Sequence, residues 1–359
     1  MRILIDIGHP AHVHYFKNFI KIMESKGHTF FVSARDRSII FKLLEKFKIP
    51  YYNRGKGRDG VLGKLFYMLA ADIKLVIKAL KFKPTIAVSF ASPYAAQTAW
   101  LLGIPSIVLD DTEHARFGHF LYKPFSTTFL NPDCFQKDFG KKQIRINSYF
   151  ELLYLHHKYF RPNSDIRNIL GIGENEKFVL LRFVSWKASH DIGQSGLNPK
   201  IKTDLINILI DRGYKVYISS EGDLDDQIIE KFKIRILPEQ MHDVLAKASL
   251  LITEGATMAS ECAMLGTPAI YVNSLDAGTL REQEDKYKLI AGFRSSEGVK
   301  DKVVELICSQ ELSLTNMTRC KNMLSEKIDP TEFLVWFIEK YPESRKIMME
   351  NHAYQYRFR

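Results

Sequence analysis

The sequence predicts an α/β protein built of two Rossmann-like domains facing a cleft. Three observations predict it. Short apolar runs of strand character alternate with stretches of helical periodicity, the pattern of parallel sheets joined by right-handed crossovers. The alternation restarts after a polar stretch around 161–176. The length, 359 residues, is that of two domains rather than one. The expected division is an N-terminal domain over 1–160, a C-terminal domain over 161–342, and a tail over 343–359 that packs back on the first.

In chain order, Ile3–Ile7 reads as a buried strand followed by the turn Gly8-His9-Pro10-Ala11-His12. Val13 to Lys26 has helical periodicity and ends at Gly27, a residue suited to a left-handed C-terminal cap. Strands are expected at 29–34, 85–89 and 106–109, with helices at 38–47, 62–80 and 95–102 between them. In the second half, strands are expected at 178–183, 215–219, 234–237, 250–253 and 269–272. Helices near 200–212, 241–248, 256–265 and 299–308 separate them. Ligands of such sheets sit beyond the C-terminal ends of the strands, so the chemistry should lie in those turns.

Composition narrows the function. Apolar residues make up 46% and charged residues 26%, as in globular proteins, which excludes disordered, collagen-like and coiled-coil classes. The net charge is +10, but residues 1–160 hold 24 Lys/Arg against 12 Asp/Glu, whereas the remainder is slightly acidic. A basic field of this kind attracts phosphates. No helix-turn-helix, zinc-finger or RNP signature accompanies it, so no nucleic-acid partner is expected. Cys134, Cys262, Cys308 and Cys320 form no CxxC, which fits reduced thiols in the cytoplasm. Neither a signal peptide nor a transmembrane run is evident.

Four turns carry candidate chemistry. After the strand 250–253, Glu254-Gly255-Ala256-Thr257 opens a helix, and free backbone N–H groups at the positive end of a helix dipole suit a phosphate. Glu261, seven residues after Glu254 and about two helical turns on, projects to the same side and can accept from ribose hydroxyls. The alternative is a well-capped helix and nothing more. After the strand 178–183, Arg182, Ser185 and Lys187 are phosphate-compatible donors, Trp186 offers an aromatic face, and His190 lies beside Asp191. The third turn holds His9, His12 and His14; with no carboxylate or cysteine nearby to complete a metal set, a base or substrate contact is the expected role. The fourth, Asp110-Asp111-Thr112-Glu113-His114, groups three carboxylates and a histidine, enough to push one pKa upward; helix-capping acids are the alternative. No metal and no cofactor are expected.

Ser220 to Asp223, Met241-His242, Glu254-Gly255-Ala256-Thr257 and Glu261, on two Rossmann units, resemble the GT-B superfamily. More specifically, Ile5 to His14, the run from Ser92 to Ala115, and Arg182-Phe183-Val184-Ser185-Trp186 resemble the domain of unknown function 354 family. The peptidoglycan N-acetylglucosaminyltransferases are similar in the second domain. That likeness implies that Glu261 holds a nucleotide ribose and that Gln283, in Leu280-Arg281-Glu282-Gln283, contacts the sugar. The UDP-N-acetylglucosamine 2-epimerases are similar at Thr112 to Arg116.

These resemblances imply a glycosyltransferase using a nucleotide-diphosphate sugar, UDP-linked, with an epimerase as the alternative. Arg182, Ser185, Trp186, Ser220, Glu221, His242, Glu254, Gly255, Ala256, Thr257, Glu261 and Gln283 would bind the donor. His9, His12, Asp111 or Glu113 would deprotonate the acceptor. A phosphorylated, lipid-linked or polysaccharide acceptor is expected. Residues 60–83 carry Leu62, Leu65, Leu69, Ile73 and Val76 on one face, flanked by lysines, which fits a peripheral contact with an anionic membrane at its inner face. A domain-packing helix is the alternative.

Overall fold

A parallel sheet whose strands are buried on both faces needs helices on both, and the chain supplies them twice. The computed structural model describes residues 1–57, 61–184, 196–220, 230–275 and 277–359, with the backbone alone for 61, 62 and 64–66. The chain divides into two units, Met1–Tyr154 with Lys327–Arg359, and Leu155–Glu326. Residues 327–342, expected in the C-terminal domain, thus group with the N-terminal one.

Unit 1 holds β1 (Arg2–Ile7), β2 (Thr29–Ala34), β3 (Tyr52–Asn53), β4 (Ile86–Phe90), β5 (Ser106–Leu109), β6 (Thr128–Pro132) and β7 (Gln143–Ile146). They form one sheet in the order β3-β2-β1-β4-β5-β6-β7, with every pairing parallel. The order runs outward from β1 to β3, then returns and runs the other way from β4. With right-handed crossovers this places helices Pro10–Ser25 and Ser38–Lys46 on one face, and helices Val61–Phe82, Pro93–Leu101 and Arg116–Tyr122 on the other. The first helix ends one residue before the expected Lys26, and Gly27 follows with φ +83°, the left-handed turn that its sequence signalled.

Unit 2 holds β8 (Phe178–Phe183), β9 (Lys215–Ser220), β10 (Leu250–Thr253), β11 (Ala269–Val272) and β12 (Ile290–Phe293) in the order β12-β11-β10-β8-β9, again all parallel. Its core gathers Val179, Leu181, Leu205, Ile218, Ile252 and Ile270. Helix Ala256–Leu265 ends at Gly266, φ +73°, where an added Cβ would stand 2.6 Å from Met317 Sδ. Helix Leu312–Glu326 packs that closely because there is no side chain to hold it off.

Two expectations need correction. The strand expected at 234–237 is a single bridge, Ile218 to Lys233, with Ile234 N–H donating to the Ile218 carbonyl at 2.7 Å. It lies at the edge of the sheet beyond β9, where no strand among the described residues pairs its far side, and Leu237 is exposed. The second correction concerns helix Val61–Phe82. It packs inward through Ala71, Leu75 and Ala79 and turns Leu69, Ile73, Ile77 and Leu80 outward, while Val76 is partly buried. The outward stripe therefore shares Leu69 and Ile73 with the face read by periodicity, and continues through Ile77 and Leu80 rather than Val76. Leu62 and Leu65 have side chains outside the described set.

Candidate functional site

In unit 2 the turn after β10 is built by its own polar side chains. Thr253 Oγ1 accepts the Gly255 N–H at 2.9 Å, bending the chain as it leaves the strand. Gly255 is extended (φ −99°, ψ 124°), and among the described residues no side-chain cap bond closes the helix that starts at Ala256. Residues 255–258 are partly exposed, and they carry the first-turn amides at the positive end of a ten-residue helix. Arg182 pairs in register with Thr253 on one side and Ser219 on the other, and its guanidinium donates to Ser219 Oγ at 2.7 Å. Ser220 closes β9 beside them.

Two carboxylates flank this turn, in different states. Glu261 and His242 are both buried, with His242 Nε2 and Glu261 Oε1 2.9 Å apart. Glu254 is fully buried. Its Oε2 accepts the Val184 N–H at 3.0 Å, its Oε1 accepts the Leu197 N–H at 2.9 Å, and Lys202 Nζ lies 3.2 Å from Oε1. Read from sequence as a donor contact, Glu254 spends both oxygens on its own chain and holds the ends of β8 and of the approach to helix Pro199–Asp211. Gln283, expected against a sugar, is fully buried under the helix and donates to Ser260 Oγ at 2.8 Å. Ser185, Trp186, Lys187, His190, Asp191, Glu221 and Asp223 lie outside the described residues.

In unit 1 the strand ends carry the other candidates. His9 is the N-cap of its helix, its Nδ1 accepting the Ala11 N–H at 3.2 Å. His12 Nδ1 accepts the Gly8 N–H at 3.3 Å, which leaves the proton on Nε2. Burial, and then His9 and Arg54, push the His12 pKa well below its ordinary value, so the ring is neutral. His14 is buried between Phe47 and Tyr154.

The turn after β5 is the densest group. Asp110 is fully buried and accepts the Thr112 N–H at 2.9 Å and the Tyr122 hydroxyl, with His119 Nε2 3.1 Å away. Glu113 accepts the Gln136 N–H at 3.2 Å. Asp111, which accepts the Thr112 hydroxyl at 3.2 Å, is pushed well above the ordinary carboxylate range. Burial contributes most, followed by the charges of Glu151 and Asp110. Glu151 arrives from forty residues downstream and had no local signal in the sequence.

A second buried network was also missed. Asp6, in the middle of the apolar run of β1, accepts Ser33 and Ser92 hydroxyls and pairs with Arg54 Nε at 3.0 Å. Arg54 stacks on Tyr94, 3.9 Å from the ring centre, and lines a cavity of about 310 Å³ with Gly55, Lys56, Tyr67, Ala70, Ala71 and Lys74. A carboxylate inside a buried strand must find such partners, and that is the signal that would have revealed it. Asp72, on the facing helix, is pushed up to about 7 by burial, with Arg54 opposing and Asp6 reinforcing. Its favourable contribution is complete below the ordinary aspartate value and is lost as the pH climbs towards 7. Asp72→Asn should therefore raise the melting temperature at about pH 8 and leave it unchanged near pH 4, as scanning calorimetry at the two pH values will show.

Among the described residues no three His, Cys, Asp or Glu side chains are grouped to hold a metal ion, the four cysteines are unbridged, and no helix is long and apolar enough to cross a membrane.

Two parallel Rossmann-like sheets with these turns at their strand ends define the GT-B fold. Solved structures share it across the chain. The S. aureus MnaA–UDP structure is 12% identical, with a TM-score of 0.71, covering 96% of this chain and 97% of that one. The Neisseria meningitidis UDP-GlcNAc 2-epimerase bound to UDP-GlcNAc is 12% identical, with a TM-score of 0.66, covering 95% and 100%. The glycosyltransferase SsfS6 of Streptomyces sp. SF2575 is 13% identical, with a TM-score of 0.59 and the same coverage. The chain belongs to the DUF354 family of proteins of unknown function, whose model matches residues 1–341. An uncharacterized protein of Methanocaldococcus jannaschii is 26% identical over 277 residues, 74% of this chain and 80% of that one.

Proposed function

We propose that this protein is a glycosyltransferase that moves a sugar from a UDP-linked donor to an acceptor hydroxyl. The observation that carries the reading is the helix start at Gly255–Thr257 beside Arg182, an anion site made of backbone amides and one guanidinium. The diphosphate sits there, and Glu261, oriented by His242, takes the ribose hydroxyls. Glu254 positions this site from behind rather than touching the ligand.

Asp111 is the base. His9 and His12 each commit Nδ1 to a backbone amide and Glu113 accepts from Gln136, whereas the raised affinity of Asp111 for a proton suits it to take one. In the transfer step the acceptor oxygen bonds to the sugar carbon and passes its proton to Asp111. The bond from that carbon to the diphosphate breaks, and the leaving group carries off the electron pair. The charge it develops meets the helix amides and Arg182, so the reading invokes no metal. The acceptor is a phosphorylated, lipid-linked or polysaccharide molecule of the cell envelope. The protein works in the cytoplasm, with residues 60–83 in peripheral contact with anionic lipid.

Thermal-shift measurements test the donor site. UDP and UDP-GlcNAc should raise the melting temperature, and both Glu261→Ala and Arg182→Ala should remove the response. A response unchanged in both variants overturns the assignment. The second reading is epimerisation of the nucleotide sugar, the activity named for the Neisseria meningitidis structure that shares the fold. Incubation with UDP-GlcNAc alone distinguishes the two, because a new epimer formed without acceptor selects it.

A further inference from the structure

Helix Val61–Phe82 presents Ile73, Ile77 and Leu80 to solvent, helix Pro93–Leu101 presents Trp100, and helix Arg116–Tyr122 presents Phe117 and Phe120. All six are between 51% and 74% exposed. The topology puts these three helices side by side on one face of the unit 1 sheet, and the middle one packs against both others. The first helix covers the sheet with Ala71, Leu75 and Ala79 and still turns Ile73, Ile77 and Leu80 to solvent, an apolar stripe that covering the sheet does not require. Exposed Lys74, Lys78, Lys81 and Lys83 lie along the same helix and the turn after it.

We propose that this three-helix face docks on an anionic lipid bilayer. Large apolar and aromatic side chains bordered by lysines match the layered chemistry of a membrane surface, apolar below and negatively charged at the headgroups. A second copy of the chain is the poorer occupant, since a symmetric contact would set each copy's lysines against the other's. The proposal extends the peripheral contact in the reading above from residues 60–83 to three helices, and rests on that contact but not on sugar transfer. Phe117 and Phe120 directly follow the Asp110–Glu113 turn, so the bilayer comes close to the candidate base and the acceptor is of the lipid-linked class.

Co-sedimentation of the full chain with vesicles tests it. Binding is expected to vesicles containing phosphatidylglycerol, to be weak with phosphatidylcholine alone, and to fall as salt rises. The variant Ile73→Ser/Ile77→Ser/Trp100→Ser should lose about tenfold or more in binding while keeping its melting temperature and its response to UDP. Equal binding to both vesicle types overturns the proposal. So does undiminished binding of the variant, or a dimer in light scattering that the variant dissolves. Loss of the UDP response in the parent protein, with lipid binding intact, counts against the donor site alone.

Discussion

Asp111→Asn is expected to cut sugar transfer by about a hundredfold to ten-thousandfold and, at the same time, to make the protein more stable at neutral pH. Both effects have one origin. Burial and the charges of Glu151 and Asp110 make the ionised Asp111 costly to hold, which strengthens it as a proton acceptor and strains the fold that carries it. Its folded pKa lies above the unfolded value, so its favourable contribution is complete only below the ordinary aspartate pKa and is lost as the pH rises through the folded pKa. The amide variant should therefore melt higher than the parent at pH 7.5 and equal it near pH 3.5. In the parent, kcat/KM should rise with pH along an acid limb displaced above the ordinary carboxylate range, and Asp111→Asn should abolish that limb. Calorimetry and a pH–rate profile read the two effects separately. A variant with undiminished activity removes Asp111 from the mechanism, and one that melts lower than the parent contradicts the electrostatic account.

Glu254→Ala carries the second large effect, a destabilisation of about 3–5 kcal/mol, because it orphans two backbone N–H groups and leaves Lys202 beside an empty, buried site. Urea unfolding should show it as a shift of the midpoint at unchanged slope. Glu254→Gln, which keeps one acceptor oxygen, should fall between the two. If Glu254 instead met the ligand, the alanine variant would fold as the parent does and lose only the UDP response.

The contrast between Glu254 and Asp111 shows what the sequence made legible. Strands 106–109, 178–183, 250–253 and 269–272 and helices 256–265 and 299–308 could be read to the residue, because apolar runs and periodicity are local properties. β6, β7 and β12 were not read. Their runs are short or mixed, as in Gln143-Ile144-Arg145-Ile146, and become strands only beside a neighbour already in place. At the sites, the turns themselves were legible from their position after strands. The occupancy of each carboxylate was not, since nothing near Glu254 announces Leu197 or Lys202, and nothing near Asp111 announces Glu151. The partners of Asp6 come from three other segments, at Ser33, Arg54 and Ser92.

The return of the chain to unit 1 fixes an order of assembly. Ile328 N–H bonds to the Asn147 carbonyl, Thr331 Oγ1 to the Leu153 carbonyl, and Gln355 Oε1 takes the Asn147 N–H, while Phe333 and Phe337 are wholly buried. During synthesis every residue of unit 2 has emerged before any of these groups exists. The second unit to begin is therefore the first that can finish, and residues 1–154 wait, with part of their core uncovered, for the final segment to arrive. Premature termination near residue 326 would spare the inner unit and leave the outer one as the species that chaperones and proteases encounter.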